Sequence, residues 1–276
     1  MESFFDDIED VMIEKCNNDS NYKSFYTYDI PRIKESVEEL WSVFKNYAPK
    51  DFKQKMIEST DTFKQRWWEM YLTVKLIQKG FYVETNHKDC GPDIKIVHEG
   101  ITYWIEAVVS MRGDKSEFVV PKFEVKEELT VEPMPRDLIL LRIANSLSYK
   151  NLKFQKYKEK NIVNDGDKLI IAINTFGLGQ YGSLMDFPQL AIDTILHNEG
   201  NLVINLKTGE KHIKDKNGIN KGSNVIDTNF FDNNEIIDGV IYSHDEPLNM
   251  NNKIYLREPK NKLLPDNFRK EFLIEK

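Results

Sequence analysis

Several features that assign a protein to a class at once are scarce in this sequence. Its 276 residues include only two cysteines, Cys16 and Cys90, which lie far apart in the chain. Two such cysteines form neither a metal site by themselves nor a disulfide framework, so a reducing compartment is the simpler interpretation. No apolar run approaches the length of about 20 residues that crosses a bilayer. The acidic first residues, 1–7, show no secretory signal, so we expect a cytoplasmic protein without a membrane span.

Ligand spacings and an overall positive charge are also missing. The histidines are scattered without the short intervals of zinc ligands, and the glycines between 177 and 182 complete no phosphate-binding loop. The net charge is −7, which argues against a generally basic surface for nucleic acid. It does not exclude a local basic groove, because residues 150–160 form a strongly basic segment within this acidic chain.

The patterns that are present predict an α/β protein. Apolar spacing predicts helices over much of 1–60, over 61–79 and over 137–160. Strands are predicted at 80–85 and 167–174, the second apolar enough to be buried on both faces, and further C-terminal strands are expected to extend the sheet. We interpret 1–60 as a helical arm or cap and 61–276 as one α/β domain, with its core at 61–176 and an extension at 177–276.

The most informative stretch is a predicted hairpin, with arms at 90–96 and 101–109 joined by a turn at 98–100. Each arm carries one acid among apolar residues, Asp93 after Gly-Pro and Glu106 in the middle of its strand. A carboxylate in such a run is costly to bury unless it is paired or binds a metal. Two acids on adjacent strands can meet at one point and bind Mg²⁺ through oxygen. A local cap at the turn is the alternative interpretation of Asp93.

At Pro92-Asp93 and Glu106-Ala107-Val108 the chain resembles the PD-(D/E)XK nuclease superfamily, with Val108 where that family has a lysine. The resemblance covers about 61–176 and implies a restriction-endonuclease-like mixed central sheet flanked by helices. It also implies a metal-dependent nuclease, with DNA favoured over RNA, that uses Mg²⁺ or Mn²⁺ and can act as a homodimer. The ion would bind Asp93, Glu106 and the carbonyl of Ala107, with Glu69 on the preceding helix as a further ligand or simply a surface glutamate.

The lysine that Val108 replaces has three candidate substitutes. Lys150 and Lys153 lie on the helix after the hairpin, and Lys95 shares a strand face with Asp93 by the two-residue period. The catalytic set is therefore expected to be Asp93, Glu106, Lys150 and Lys153. The acids could also act slowly with metal alone, or the site could be degenerate.

A polar row on the same helix is the expected nucleic-acid contact, although a solvated basic face is the alternative. The row consists of Arg142, Ser146, Lys150, Lys153 and Tyr157. Two other classes of function remain open. One is a non-catalytic nucleic-acid-binding module on this fold, and the other is a protein-interaction factor that uses the N-terminal helices or the acidic surface.

Overall fold

The computed structural model describes residues 3–5, 30–84, 91–114, 118–122, 134–182, 187–197, 201–204, 208, 211–214, 218–221, 224–226, 228–247, 250 and 253–272. Its helices are α1 (Ile30–Phe44), α2 (Phe52–Met56), α3 (Thr60–Gln78), α4 (Arg136–Glu159), α5 (Phe187–His197) and α6 (Asp266–Lys270). Its strands are β1 (Tyr82–Glu84), β2 (Ile94–His98), β3 (Ile101–Val109), β4 (Lys168–Asn174), β5 (Asn201–Ile204), β6 (Lys211–Lys214), β7 (Ile219–Lys221), β8 (Asn224–Ile226), β9 (Gly239–Ser243) and β10 (Tyr255–Arg257).

The predicted α/β class is confirmed by a six-stranded mixed sheet with helices on its two faces. The strand order is β1-β2-β3-β4-β9-β10. The central strands β3, β4 and β9 are parallel, and the strands outside them pair antiparallel. Among the described helices, none has a stretch long and apolar enough to cross a bilayer.

The register of the β2–β3 hairpin decides where the two acids lie. Its turn residues Glu99 and Gly100 both have positive φ, 48° and 78°, as a tight two-residue hairpin turn requires. Ile94 pairs with Ile105 across the ladder. Asp93, one residue before Ile94, therefore lies beside Glu106, one residue after Ile105.

Side-chain alternation along β3 divides the core into two parts. Ile105, Ala107 and Val109 pack in the α3-side core, which also contains buried residues of α1 and α2. Val108 packs in the α4-side core, with apolar residues of α4 and α5. Because successive side chains of a strand point to opposite faces, Glu106 shares the α4 side with Val108. The strand β4 contributes to both cores, as its continuous apolar sequence predicted.

The ends of the chain differ in part from expectation. The strands β9 and β10 extend the sheet as predicted, whereas β5 pairs with β6 in a separate ribbon. The prediction that all the C-terminal strands join the sheet is therefore wrong for β5. A helix expected from Phe4 onwards is not seen at 3–5, and the rest of it lies outside the described residues. The helices α1 and α2 share the α3-side core, and the proposed boundary at residue 60 stays a prediction.

Candidate active site

Asp93 and Glu106 converge on one ammonium group. The Nζ atom of Lys150 lies 2.5 Å from Oε2 of Glu106 and 3.3 Å from Oδ2 of Asp93. The distance between Oδ2 of Asp93 and Oε2 of Glu106 therefore cannot exceed the sum of these two distances. The structure brings together the two acids and one of the lysines that the sequence singled out, even though the lysine comes from a helix distant in sequence.

Glu106 is fully buried and accepts hydrogen bonds only from α4 among the described residues. Besides Lys150, Nζ of Lys153 donates to Oε2 at 2.9 Å and the hydroxyl of Tyr157 donates to Oε1 at 2.9 Å. Positions 150, 153 and 157 share one helical face by their spacing. Burial and the charge of Asp93 raise the pKa of Glu106, while the two lysines oppose that rise.

Asp93 is held at the edge of the site with part of its surface open. Its Oδ2 accepts the backbone N–H of Ala107 at 2.8 Å, and its side chain is 23% exposed. Both contacts of this oxygen lead away from the preceding turn, to β3 and to α4. These contacts favour a role in the site over a local cap at Gly91-Pro92.

Glu69 lies on α3 beside the same carboxylates. Its Oε2 accepts a hydrogen bond from Nη1 of Arg66 at 2.5 Å, the pairing that their three-residue spacing indicates. Burial raises the pKa of Glu69 to about 7, the negative charge of Asp93 adds to this rise, and Arg66 opposes it. The interpretation as a surface glutamate is wrong, because Glu69 is only 8% exposed.

Asp93 and Glu69 line an open cleft of about 390 Å³ between α3 and α4, whereas Glu106 is fully buried. Four cationic side chains and three carboxylates line the cleft, and each of the four cations contacts an acid of the protein. The wall at the position of the family lysine is Val108, which is 7% exposed. The residues that line the cleft are Lys55, Glu58, Thr62, Gln65, Arg66, Glu69, Asp93, Ala107, Val108, Tyr149, Lys150 and Lys153.

The other predicted residues lie elsewhere. Nζ of Lys95 lies 2.6 Å from Oε2 of Glu84, so Lys95 does not replace the family lysine that is missing at position 108. Arg142 donates to the carbonyl of Met111 at 2.7 Å, and Ser146 donates to the carbonyl of Arg142 at 2.9 Å. Neither of these two residues lines the cleft, so they support the segment after β3.

Sequence reasoning missed Gln65, which joins α3 to the end of β3. Its side-chain amide donates to the carbonyl of Val109 and accepts the Val109 N–H, each at 3.0 Å. The amide therefore satisfies a backbone donor and a backbone acceptor where β3 ends. No sequence signal singled it out, because Gln65 stands between Lys64 and Arg66 in a helix with several polar residues.

Asp93 and Glu106 are the residues of this site that could hold a divalent cation. Within the described part of the chain, no three histidine, cysteine or acidic side chains cluster closely enough to hold a metal. Mg²⁺ is nevertheless commonly bound by one or two carboxylates with several waters. Asp93 and Glu106 already enclose a positive group, the Lys150 ammonium, and the cleft beside them has room for water.

No protein-family model, curated protein or solved structure matches this chain in comparisons with known proteins. Membership of the nuclease superfamily therefore stays a hypothesis.

Proposed function

We propose that this protein is a metal-dependent nuclease that hydrolyses phosphodiester bonds, with DNA favoured over RNA. The observation that carries the proposal is the contact of Lys150 with both Asp93 and Glu106 beside an open cleft. Two acids on adjacent strands and one lysine are the three groups that the resemblance requires. Here the lysine comes from α4 and not from position 108.

The acids are the proposed ligands of Mg²⁺ or Mn²⁺. Asp93, Glu106 and the carbonyl of Ala107 would hold the ion, with Glu69 at the margin of the site. A bound ion of this kind polarises a phosphate and lowers the pKa of a coordinated water. The hydrogen bond from the Ala107 N–H fixes Asp93 relative to β3, and the Tyr157 hydroxyl fixes Glu106 from the other side.

The lysines are the proposed partners of the phosphate charge. Removal of one preorganised donor from a site where negative charge develops typically costs about 2.7–4 kcal/mol. Lys153 contacts Glu106 at 2.9 Å, and 31% of its side chain is exposed at the cleft, where it can face a substrate. Of the predicted row on α4, the proposed nucleic-acid contacts narrow to Lys150 and Lys153, because these two line the cleft and the other three residues of the row do not.

A second candidate is a catalytically degenerate nuclease fold that binds nucleic acid. The complete enclosure of Glu106 by Lys150, Lys153 and Tyr157 favours it, because a carboxylate with three donors has less capacity for a metal. This candidate predicts salt-dependent binding that survives Asp93→Asn, with no cleavage in any metal.

A cleavage assay with Mg²⁺ or Mn²⁺ on DNA and RNA, single- and double-stranded, tests the proposal. Asp93→Asn, Glu106→Gln and Lys150→Met should each lower the rate by roughly a hundredfold or more. Asp165→Asn, Glu159→Gln and Lys156→Met change exposed residues in or just after α4 and should cut like the wild type. Equal cutting by all these proteins would identify a contaminating nuclease and contradict the proposal.

A further inference from the structure

The two lysines at Glu106 differ in burial and in partners. Lys150 has 8% of its side chain exposed and contacts both carboxylates. Lys153 has 31% of its side chain exposed and, among the residues that the structure describes, contacts the carboxylate of Glu106 alone, at 2.9 Å. A group enclosed between two acids and a group at the rim of a cleft experience different surroundings, so identical side chains need not have one role.

The position of Lys150 is that of a counter-ion. Its Nζ atom lies 3.3 Å from Oδ2 of Asp93 and 2.5 Å from Oε2 of Glu106, so its positive charge stands between the two acids. Buried carboxylates are strongly unfavourable without a partner. In the metal-free protein, Lys150 thus supplies the positive charge that the two acids require.

We infer that Lys150 occupies the cation position of the proposed metal site, so that a divalent ion must displace its ammonium group from Asp93 and Glu106. The inference rests on the proposed function and deepens it. The same oxygens, Oδ2 of Asp93 and Oε2 of Glu106, would serve the lysine in the empty protein and the ion in the loaded one. The displaced ammonium then faces the cleft, where a phosphate binds.

Lys153 has the complementary role. It touches only Oε2 of Glu106 and borders the cleft, so it can turn to a phosphate without leaving both acids unpaired. Loss of Lys153 should weaken nucleic-acid binding more than it alters metal binding. Loss of Lys150 should do the opposite.

Titration calorimetry with Mn²⁺ alone at pH 8 distinguishes these roles. Lys150→Met should bind Mn²⁺ about tenfold more tightly than the wild type or better, because hydrogen bonds between charged groups no longer compete with the ion. The same variant should lose cleavage. Lys153→Met should bind Mn²⁺ within about threefold of the wild-type affinity, and Lys156→Met should match the wild type. A tenfold change in Mn²⁺ affinity would require the loss of a substantial interaction at the proposed ion ligands.

A second measurement uses the wild type and so does not depend on the folding of Lys150→Met. Lysine labelling with an amine-reactive reagent, read by peptide mass spectrometry, should show Lys150 protected without metal and several-fold more reactive in saturating Mn²⁺. Lys156 is exposed and should label equally in both states.

The outcomes separate the two proposals. Wild-type Mn²⁺ binding and cleavage, with Lys150→Met binding no tighter or Lys150 labelling unchanged by Mn²⁺, would overturn the displacement and leave the nuclease proposal standing. Absence of Mn²⁺ binding in both proteins, together with no cleavage by the wild type, would overturn both.

Discussion

The pH dependence of stability should report the buried carboxyl of Glu69. Its folded-state pKa is raised from the ordinary value of 4.5 to about 7 by burial and by the charge of Asp93, against the opposing effect of Arg66. A raised carboxyl pKa means that the folded state favours the neutral form. Its stabilising contribution is therefore fully present below pH 4.5 and is lost as the pH rises through about 7.

The magnitude follows from the size of the shift. One pKa unit corresponds to about 1.36 kcal/mol, so the rise from 4.5 to about 7 is on the order of 3 kcal/mol. Little of this is lost to solvent screening, because Glu69 is only 8% exposed. Glu69→Gln keeps an acceptor for Arg66 and cannot ionise. The wild type loses stability as the pH rises and the variant does not. The free energy of unfolding of Glu69→Gln minus that of the wild type should therefore rise by roughly 3 kcal/mol between pH 4.5 and pH 8.

Urea unfolding at pH 5, 6, 7 and 8 in the presence of a chelator measures this difference. Glu159→Gln, an exposed glutamate on α4, controls for the loss of one negative charge. A difference between Glu69→Gln and the wild type that stays constant across this pH range would refute the reasoning. Such a result would mean that Glu69 is ionised in the fold at little cost.

Three further predictions concern contacts around the site. Tyr157→Phe removes the hydroxyl that donates to Oε1 of Glu106, and single-turnover cleavage should slow by about tenfold or more, since hydrogen bonds to charged groups contribute about 1.5–3 kcal/mol. An unchanged rate would contradict the positioning of Glu106 by Tyr157. Gln65→Leu leaves the N–H and carbonyl of Val109 without their side-chain partner and should lower the unfolding free energy in urea by about 1–3 kcal/mol. Chelation should abolish cleavage and added Mg²⁺ should restore it, and cutting that persists in chelator would contradict a metal-dependent reaction.

The hairpin and its two acids could be predicted because they depend on local rules. A turn at Glu99-Gly100 and the two-residue period of the strands fix the register, and the register alone places Asp93 beside Glu106. Lys150 and Lys153 became candidates only through the resemblance, which implies a cation beside the two acids, and their spacing places them in one row of the helix that follows the hairpin.

The direction of individual polar side chains on α4 could not be predicted. Leu152 is 54% exposed, whereas Lys150 is buried. Hydrophobicity alone predicts the reverse. Lys150 is buried because it pairs with two carboxylates of the hairpin, which is distant in sequence. That pairing forms only when the sheet and α4 pack against each other. Tyr157 was expected to contact nucleic acid, but its hydroxyl donates to Glu106. The sequence of α4 alone does not show that Glu106 lies within reach of this side chain.

Val108 and the lysines of α4 are two parts of one arrangement. Val108 packs in the α4-side core at 7% exposure, on the same face of β3 as Glu106. A lysine there would have to bury its stem and charge beneath α4, next to ammonium groups that already contact Glu106. The branched apolar side chain of Val108 fills that volume without a charge, and the positive groups at Glu106 come from Lys150 and Lys153 of α4. A missing lysine in the strand is therefore not, by itself, evidence that the site lacks one. What decides the matter is whether a cation reaches both carboxylates, and here Lys150 does.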